Sequence, residues 1–286
     1  MTARVLAVHA HPDDELLATG VTLAHFVAEG AEVHVLTCTL GEQGEIIPAE
    51  LEHLGAERDD ALGPYRREEL RAAMAEVGVN SRVLGEDPAR GVLSRYRDSG
   101  MAGSESAHDP RAFARADLDE AAALVASVIT EIQPDLVITY DSRGGYEHPD
   151  HIQTHRVTCR AVASLSERPP LFAVYTPRSW AEEDRAWLRA NAASTPAGWT
   201  LPDGAFAASV VPDEVVTYEV VDPDAVPVQA RGVRHHRTQV IVEPPRFALS
   251  NGIAARFSGR EGYAEIDPET GDPLPGGPRR PLSERL

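Results

Sequence analysis

An apolar run, Arg4 to His9, ends in "AHPDDE": a histidine, a proline and three consecutive acids, Asp13, Asp14 and Glu15. Carboxylates that close repel one another unless they share a positive partner. A second stretch, "YEHPDHIQTH" from Tyr146 to His155, again mixes His with Asp. His11 and Asp14 lie three apart across a proline turn, and His151 begins a helical segment in the second stretch. Two imidazole nitrogens and a carboxylate oxygen are the ligand set of a catalytic metal site with an open position, where bound water ionises near neutral pH. The shared partner is then a divalent cation. The competing reading is that Asp13, Asp14 and Glu15 cap a helix and favour its dipole. The second His/Asp cluster weighs against it, provided the fold brings both clusters to one place.

The elements around them predict that it does. Arg4 to His9 reads as a strand buried on both faces, and Leu16, Leu17, Leu23, Phe26 and Val27 recur at helical spacing up to a stop at Gly30. Glu32 to Leu40 is strand-like, Tyr65 to Val77 helical and Arg82 to Leu84 a short strand. Asp117 to Ile132 is helical, "DLVITY" a strand, Asp150 to Val162 a helix, and Leu171 to Tyr175 a strand. Such alternation predicts an α/β fold, a Rossmann-like and mostly parallel sheet flanked by helices, with ligands at the carboxyl ends of the strands. Both clusters leave strands at such ends. Gly85 to Ala116 has little periodicity and reads as a substrate-side loop.

The pattern weakens after Pro177. "SWAE" has capping-box spacing and Glu214 to Val221 is strand-like, while Pro227 interrupts a stretch that should be helical. The expected organisation is a catalytic domain over 1–176, a smaller C-terminal lobe over 177–264 completing it, and a Pro/Gly-rich tail over 265–286, poorly ordered unless docked.

Composition narrows the function. The 286 residues carry a formal net charge of −18, which argues against nucleic-acid or anionic-membrane partners, and no apolar run is long enough to span a membrane. With no secretory signal pattern after Met1, the cytoplasm is the expected compartment. All 27 basic residues are Arg, so Schiff-base and P-loop lysine chemistry is excluded. Cys38 and Cys159 form no C-x-x-C pair, and both read as small buried residues. His155 lacks the H-E-x-x-H context of a zinc helix and reads as packed, His9 as a core histidine; His235 and His236 receive no role.

"AHPDDE" together with "HPDH" resembles the LmbE/PIG-L-like metal-dependent N-deacetylases. "HVLTCTLGEQGEI", "YRREELRAAMAEVGV", "RYRDSGMAGS", "VITYDSRGGYEHPDH" and "ALSNGIA" resemble the branch that removes acetate from N-acetylglucosaminyl-inositol in mycothiol biosynthesis. The resemblance implies a hydrolase of a small amino-sugar substrate with one Zn²⁺ or Fe²⁺ per chain, held by His11, Asp14 and His151. It implies Asp13 as general base, His148 as the group that stabilises the oxyanion or protonates the leaving amine, Asp150 orienting His148, and Tyr146 polarising the acetyl carbonyl. Arg66, Asp98 and Glu45 match sugar or inositol contacts. A mycothiol S-conjugate amidase, or a deacetylase of another N-acetyl amino sugar, is the alternative; the amidase branch carries a Lys after "HPDDE", and this chain has none. A silent sugar-binding protein would be expected to lack Asp13 or a ligand, and a nucleotide-binding Rossmann protein would show G-x-G-x-x-G after the first strand.

Overall fold

The computed structural model describes residues 2–286. Strands β1 (Arg4–His9), β2 (Glu32–Thr37), β3 (Asn80–Val83), β4 (Leu136–Tyr140) and β5 (Leu171–Pro177) pair in parallel in the spatial order β3-β2-β1-β4-β5. β4 is buried at every position and β1 at all but its first, because helices cover both faces. On one face α1 (Asp14–Ala28) and α2 (Leu62–Val77) bury Leu16, Leu23, Phe26, Leu70 and Met74 against Val5 and Val35. On the other, α3 (Leu118–Ile132) and, after the short α4 (Gly144–Glu147), α5 (Pro149–Ser164) bury Val125, Ile129, Val157 and Val162 against Leu6 and Val137. The start of α3 is fixed by Asp117, whose carboxylate accepts the Glu120 N–H at 2.9 Å, a cap worth about 1 kcal/mol.

The C-terminal third rejoins this sheet. After α6 (Arg178–Ala190) come β6 (Val210–Val211), β7 (Tyr218–Val221), α7 (Val226–Val233) and a separate three-stranded sheet of β8 (Ile241–Glu243), β9 (Arg246–Ala248) and β10 (Ala255–Arg256). β11 (Arg260–Glu265) then pairs antiparallel with β5, placing Tyr263 opposite Val174, and β7 pairs antiparallel with β11. Tyr218, Val233 and Tyr263 lie in one apolar cluster with Val5 and Leu16, so one core runs through residues before and after 177. Pro227 does not break the helix there. It stands in the first turn of α7, where the missing N–H has no intrahelical acceptor to lose and the fixed φ suits the helix.

Within 265–286 the tail is docked: β12 (Arg280–Pro281) runs parallel to β7, the Arg285 guanidinium donates to Glu265 at 2.7 Å, and Leu282 is fully buried. Although the segment is sparse in apolar residues, the buried Leu282, the β12 pairing and the Arg285 contact together hold it against the sheet. Leu282→Ala should lower unfolding stability by about 2–5 kcal/mol in a denaturant titration; an unchanged midpoint would mean the tail adds nothing to the core. Among the described residues no helix is long and apolar enough to cross a membrane.

Candidate active site

The strand order reverses between β1 and β4: the chain from β1 runs outward to β2, and that from β4 the other way to β5. At such a switch point the loops beyond the carboxyl ends splay apart and leave a crevice. "AHPDDE" follows β1 and "DSRGGYEHPDH" follows β4, so both clusters border the same crevice. The Ala10 N–H donates to the Tyr140 hydroxyl at 3.0 Å and ties the two loops together. Gly144 is needed in the second loop, for at its φ of +61° a Cβ would stand 2.7 Å from the His151 Cβ and from the Ile152 nitrogen.

His11 Nδ1, Asp14 Oδ2 and His151 Nε2 form a triangle with sides of 3.2, 3.2 and 3.3 Å. Tetrahedral ligands at bond lengths of about 2.0–2.1 Å stand about 3.3–3.4 Å apart, so the triangle has the size of one face of a zinc site. Its chemistry fits as well, since two imidazoles and a carboxylate turn lone pairs toward one point. His11 Nε2 lies 3.2 Å from Asp150 Oδ2 and 3.5 Å from Asp98 Oδ1, the carboxylate support that fixes a ligand's tautomer and raises its basicity. Burial pulls the His11 imidazole down, but Asp98, Asp14 and Asp150 outweigh it and hold it well above its ordinary value. Burial pushes the Asp14 carboxyl up, and His151 and His11 overcome it and hold Asp14 well below the carboxylate range. His11 also gathers with Asp98 and Asp150, and with His148 and His151, within 4.8 Å. Those sets are weaker candidates: the Asp150 carboxylate takes two donors from Ser99, and His148 with Nδ1 engaged by a backbone N–H carries its proton on Nε2, whereas Asp14 Oδ2 accepts one backbone N–H, from His11 at 3.0 Å, and keeps a further lone pair.

Asp13 stands beside the triangle with a different task. Its φ is 109°, left-handed territory that costs a non-glycine residue about 1–3 kcal/mol, and its side chain makes no capping bond to α1. The carboxylate is thus not consumed by the helix. Asp13 Oδ2 lies 3.4 Å from Arg66 Nη2. Burial pushes its carboxyl up to about 7, with Arg66 opposing and Asp14 adding to the rise. Arg66, a sugar contact in the reading that the family resemblance implies, lines this crevice and also braces its loops. It is buried, its guanidinium donates to the Gly41 carbonyl at 2.7 Å and to the Pro12 carbonyl, and a Cβ on Gly41 would lie 1.9 Å from Nη1. A fork that engages two carbonyls and Asp13 braces these loops.

"HPDH" itself explains the rest of the geometry. His148 is the N-cap of α5, with Pro149 next, and its Nδ1 accepts the Asp150 N–H at 3.2 Å. A capping Nδ1 places the imidazole proton on Nε2. Burial, with His11 and His151 adding to it, lowers His148 to about 3, so it stays neutral. The Asp150 carboxylate makes no contact with His148, the partner that the family resemblance implies for it. That carboxylate faces the other way, taking the Ser99 N–H at 2.8 Å, the Ser99 hydroxyl and His11 Nε2. His148 at the N-cap and Asp150 at the second helical position are two residues apart, and side chains at i and i+2 of a helix do not face each other.

The GlcNAc-PI de-N-acetylase (PIG-L) pattern matches residues 6–162, which hold every residue of this constellation. The chain belongs to that family. It is 45% identical over 291 residues to the 1D-myo-inositol 2-acetamido-2-deoxy-alpha-D-glucopyranoside deacetylase of Streptomyces avermitilis, covering 94% of each chain. The Thermomonospora curvata protein of the same name is 44% identical, with 92% and 90% covered. A deacetylase of the teicoplanin biosynthesis pathway shares the fold at a TM-score of 0.52 and 25% identity, over 82% of this chain and 84% of that one.

In this PIG-L-family chain the triangle lies in the wall of a cavity of about 890 Å³. Tyr146, 53% exposed, stands at its rim with its ring 4.9 Å from that of His151. Glu45 is also exposed and lines the cavity, whereas Asp98 is buried in the wall, accepting the Gln43 and Gly100 N–H groups at 3.1 and 2.8 Å. Three supports carried no sequence signal. Tyr140 stacks on His151 at 4.2 Å between ring centroids, Ser99 holds Asp150, and His236 reaches Glu15 at 2.8 Å.

Proposed function

We propose that this chain hydrolyses the acetamide of 1D-myo-inositol 2-acetamido-2-deoxy-α-D-glucopyranoside in mycothiol biosynthesis, releasing acetate and the free amine, with Zn²⁺ as the resident metal and Fe²⁺ as the alternative its donors suit. The observation that carries the reading is the 3.2–3.3 Å triangle of His11, Asp14 and His151 with the Asp13 carboxylate, which caps no helix, beside it; identity of 45% across 94% of a relative of that activity supports the substrate. A cation bound there lowers the pKa of water and acts as a Lewis acid toward a carbonyl oxygen.

The chain's own groups do the rest. Asp13, its carboxyl near 7, takes the proton of the attacking water and can later return it to the departing amine. His148, neutral and protonated on Nε2, donates to the oxygen that becomes negative in the tetrahedral state, a task an uncharged donor performs without reorganising. Tyr146 at the rim donates to the acetyl carbonyl. Asp98 keeps lone pairs beyond the two backbone groups it accepts, and Glu45 is free at the rim, so both can take sugar hydroxyls. Asp150 is a support for His11.

The test is acetate release from that glycoside by metal-loaded protein, compared with free N-acetylglucosamine and a mycothiol S-conjugate. Preference for the glycoside is expected; preference for the conjugate would move the chain to the amidase reaction. The Asp150 assignment has its own outcome. Asp150→Asn should weaken metal affinity about 10- to 100-fold, the range for losing a carboxylate behind a ligand histidine. Unchanged affinity with a slowed turnover would return Asp150 to His148.

A further inference from the structure

Glu15 and His236 are 221 positions apart, both fully buried, and belong to neither the ligand triangle nor the reacting groups. One Glu15 oxygen, Oε1, lies 2.8 Å from His236 Nε2, while the other, Oε2, accepts the Asp13 backbone N–H at 2.9 Å. That N–H belongs to the residue with φ of 109°, a backbone that relaxes toward negative φ unless its surroundings hold it. His236 is in turn rigidly placed. Its N–H donates to the Val233 carbonyl at 3.0 Å and its own carbonyl accepts from Val240 at 2.9 Å. Two residues on, Thr238 is gripped by the Glu69 carboxylate through its N–H at 3.0 Å and its hydroxyl at 2.6 Å, and its carbonyl accepts the Ile47 N–H. The turn carrying His236 is therefore bolted to α2 and to the loop after β2.

We propose that Glu15 and His236 are positioning residues for the reaction: a buried brace through which the C-terminal third of the chain holds the Asp13 backbone in the conformation that aims its carboxylate. The proposal rests on the reading of Asp13 as the base. It accounts for a fully buried histidine–carboxylate contact that the metal site does not use, and for a left-handed conformation at a residue whose side chain caps nothing. Rotation of the 13 peptide would swing the carboxylate by an ångström or more, a displacement that can slow a reaction about 10²-fold without touching the remaining machinery.

The experiment is a mutant cycle on the full chain, reading kcat and KM for acetate release, bound metal, and the visible spectrum of the Co²⁺-substituted protein. His236→Leu should lower kcat about 10²-fold, leave KM within about 3-fold, and keep one metal per chain with the Co²⁺ spectrum unchanged. His236→Gln, which still offers Glu15 an N–H donor, should recover most of the rate. In an Asp13→Asn background His236→Leu should have little further effect, since both changes remove one function. Rates are counted per Co²⁺ site, and Glu15→Gln, nearly isosteric, runs through the same cycle with a smaller loss, so poor folding of one variant leaves the question answerable. Equal losses in the wild-type and Asp13→Asn backgrounds, or loss of metal in step with kcat, would overturn the brace. Wild-type kcat in Asp13→Asn itself would overturn the reading of Asp13 instead.

Discussion

His151→Ala is expected to leave the purified protein without tightly bound metal and without measurable acetate release. Three protein atoms make the triangle, and removing one leaves two ligands, His11 and Asp14, on a single proline turn. Loss of a group behind a ligand costs about 10- to 100-fold in affinity, so loss of a ligand should exceed about 10²-fold. The same logic predicts that chelation abolishes activity in the unaltered chain and that a divalent cation restores it. Metal content after dialysis, with titration calorimetry of the apoprotein, measures the first, and a chelation and add-back series the second. One metal per chain in His151→Ala would place the ion instead among His11, Asp98 and Asp150, the set on His11 that does not include His151. Asp150→Asn then becomes the discriminating variant, because it would lose metal outright instead of binding it more weakly.

The parts of this site legible in the sequence are those encoded by local pattern. β1 and β4 announce themselves as apolar runs, their following loops as bursts of His and Asp, and the parallel order of an α/β sheet brings the two loops together without further information. The supports were not legible, for they depend on contacts with no fixed spacing. Asp150 sits two residues from His148 and looks like its partner, yet the helix begun at Pro149 turns its carboxylate to Ser99 and His11. Arg66 reads as part of a solvated, charged helix or as a ligand contact, and only the fold reveals that it passes between Gly41 and Pro12 to reach Asp13. His236 stands in a histidine pair with nothing in "VRHHRTQ" to distinguish it from its neighbour, and its partner lies at the other end of the chain. The C-terminal third was harder for a related reason. β11 is an inner strand of the sheet, but its sequence "REGYAE" opens on two charged residues, because Arg260 leaves the strand to meet Glu183 and Asp184 while Glu261 takes the N–H groups of Val21 and Thr22 at 2.8 Å. A half-buried carboxylate that takes the N–H groups just past the non-helical Thr19 of α1 looks, in sequence, like an exposed one.

Asp13→Asn should keep one metal per chain and lower kcat by about 10²- to 10⁴-fold, the usual range for removing a general base or acid, with KM little changed. The substitution preserves volume, leaves the backbone N–H to Glu15, and keeps an oxygen that can face Arg66, so what it removes is the capacity to take a proton. The argument for the size of the effect lies in the contrast with the next residue. Asp13 and Asp14 are identical side chains one position apart, and the fold drives them in opposite directions. Asp14 is drawn well down by His151 and His11, as suits the permanently charged ligand proposed here; Asp13, raised by burial to about 7, is suited to exchange a proton near neutral pH. Asp14→Asn should accordingly fail in a different way, losing metal first and activity as a consequence. Metal analysis beside steady-state rates on the two variants separates the roles. If Asp13→Asn loses the ion and regains full rate once reloaded, Asp13 is the ligand, and the general base must be sought elsewhere along the cavity wall.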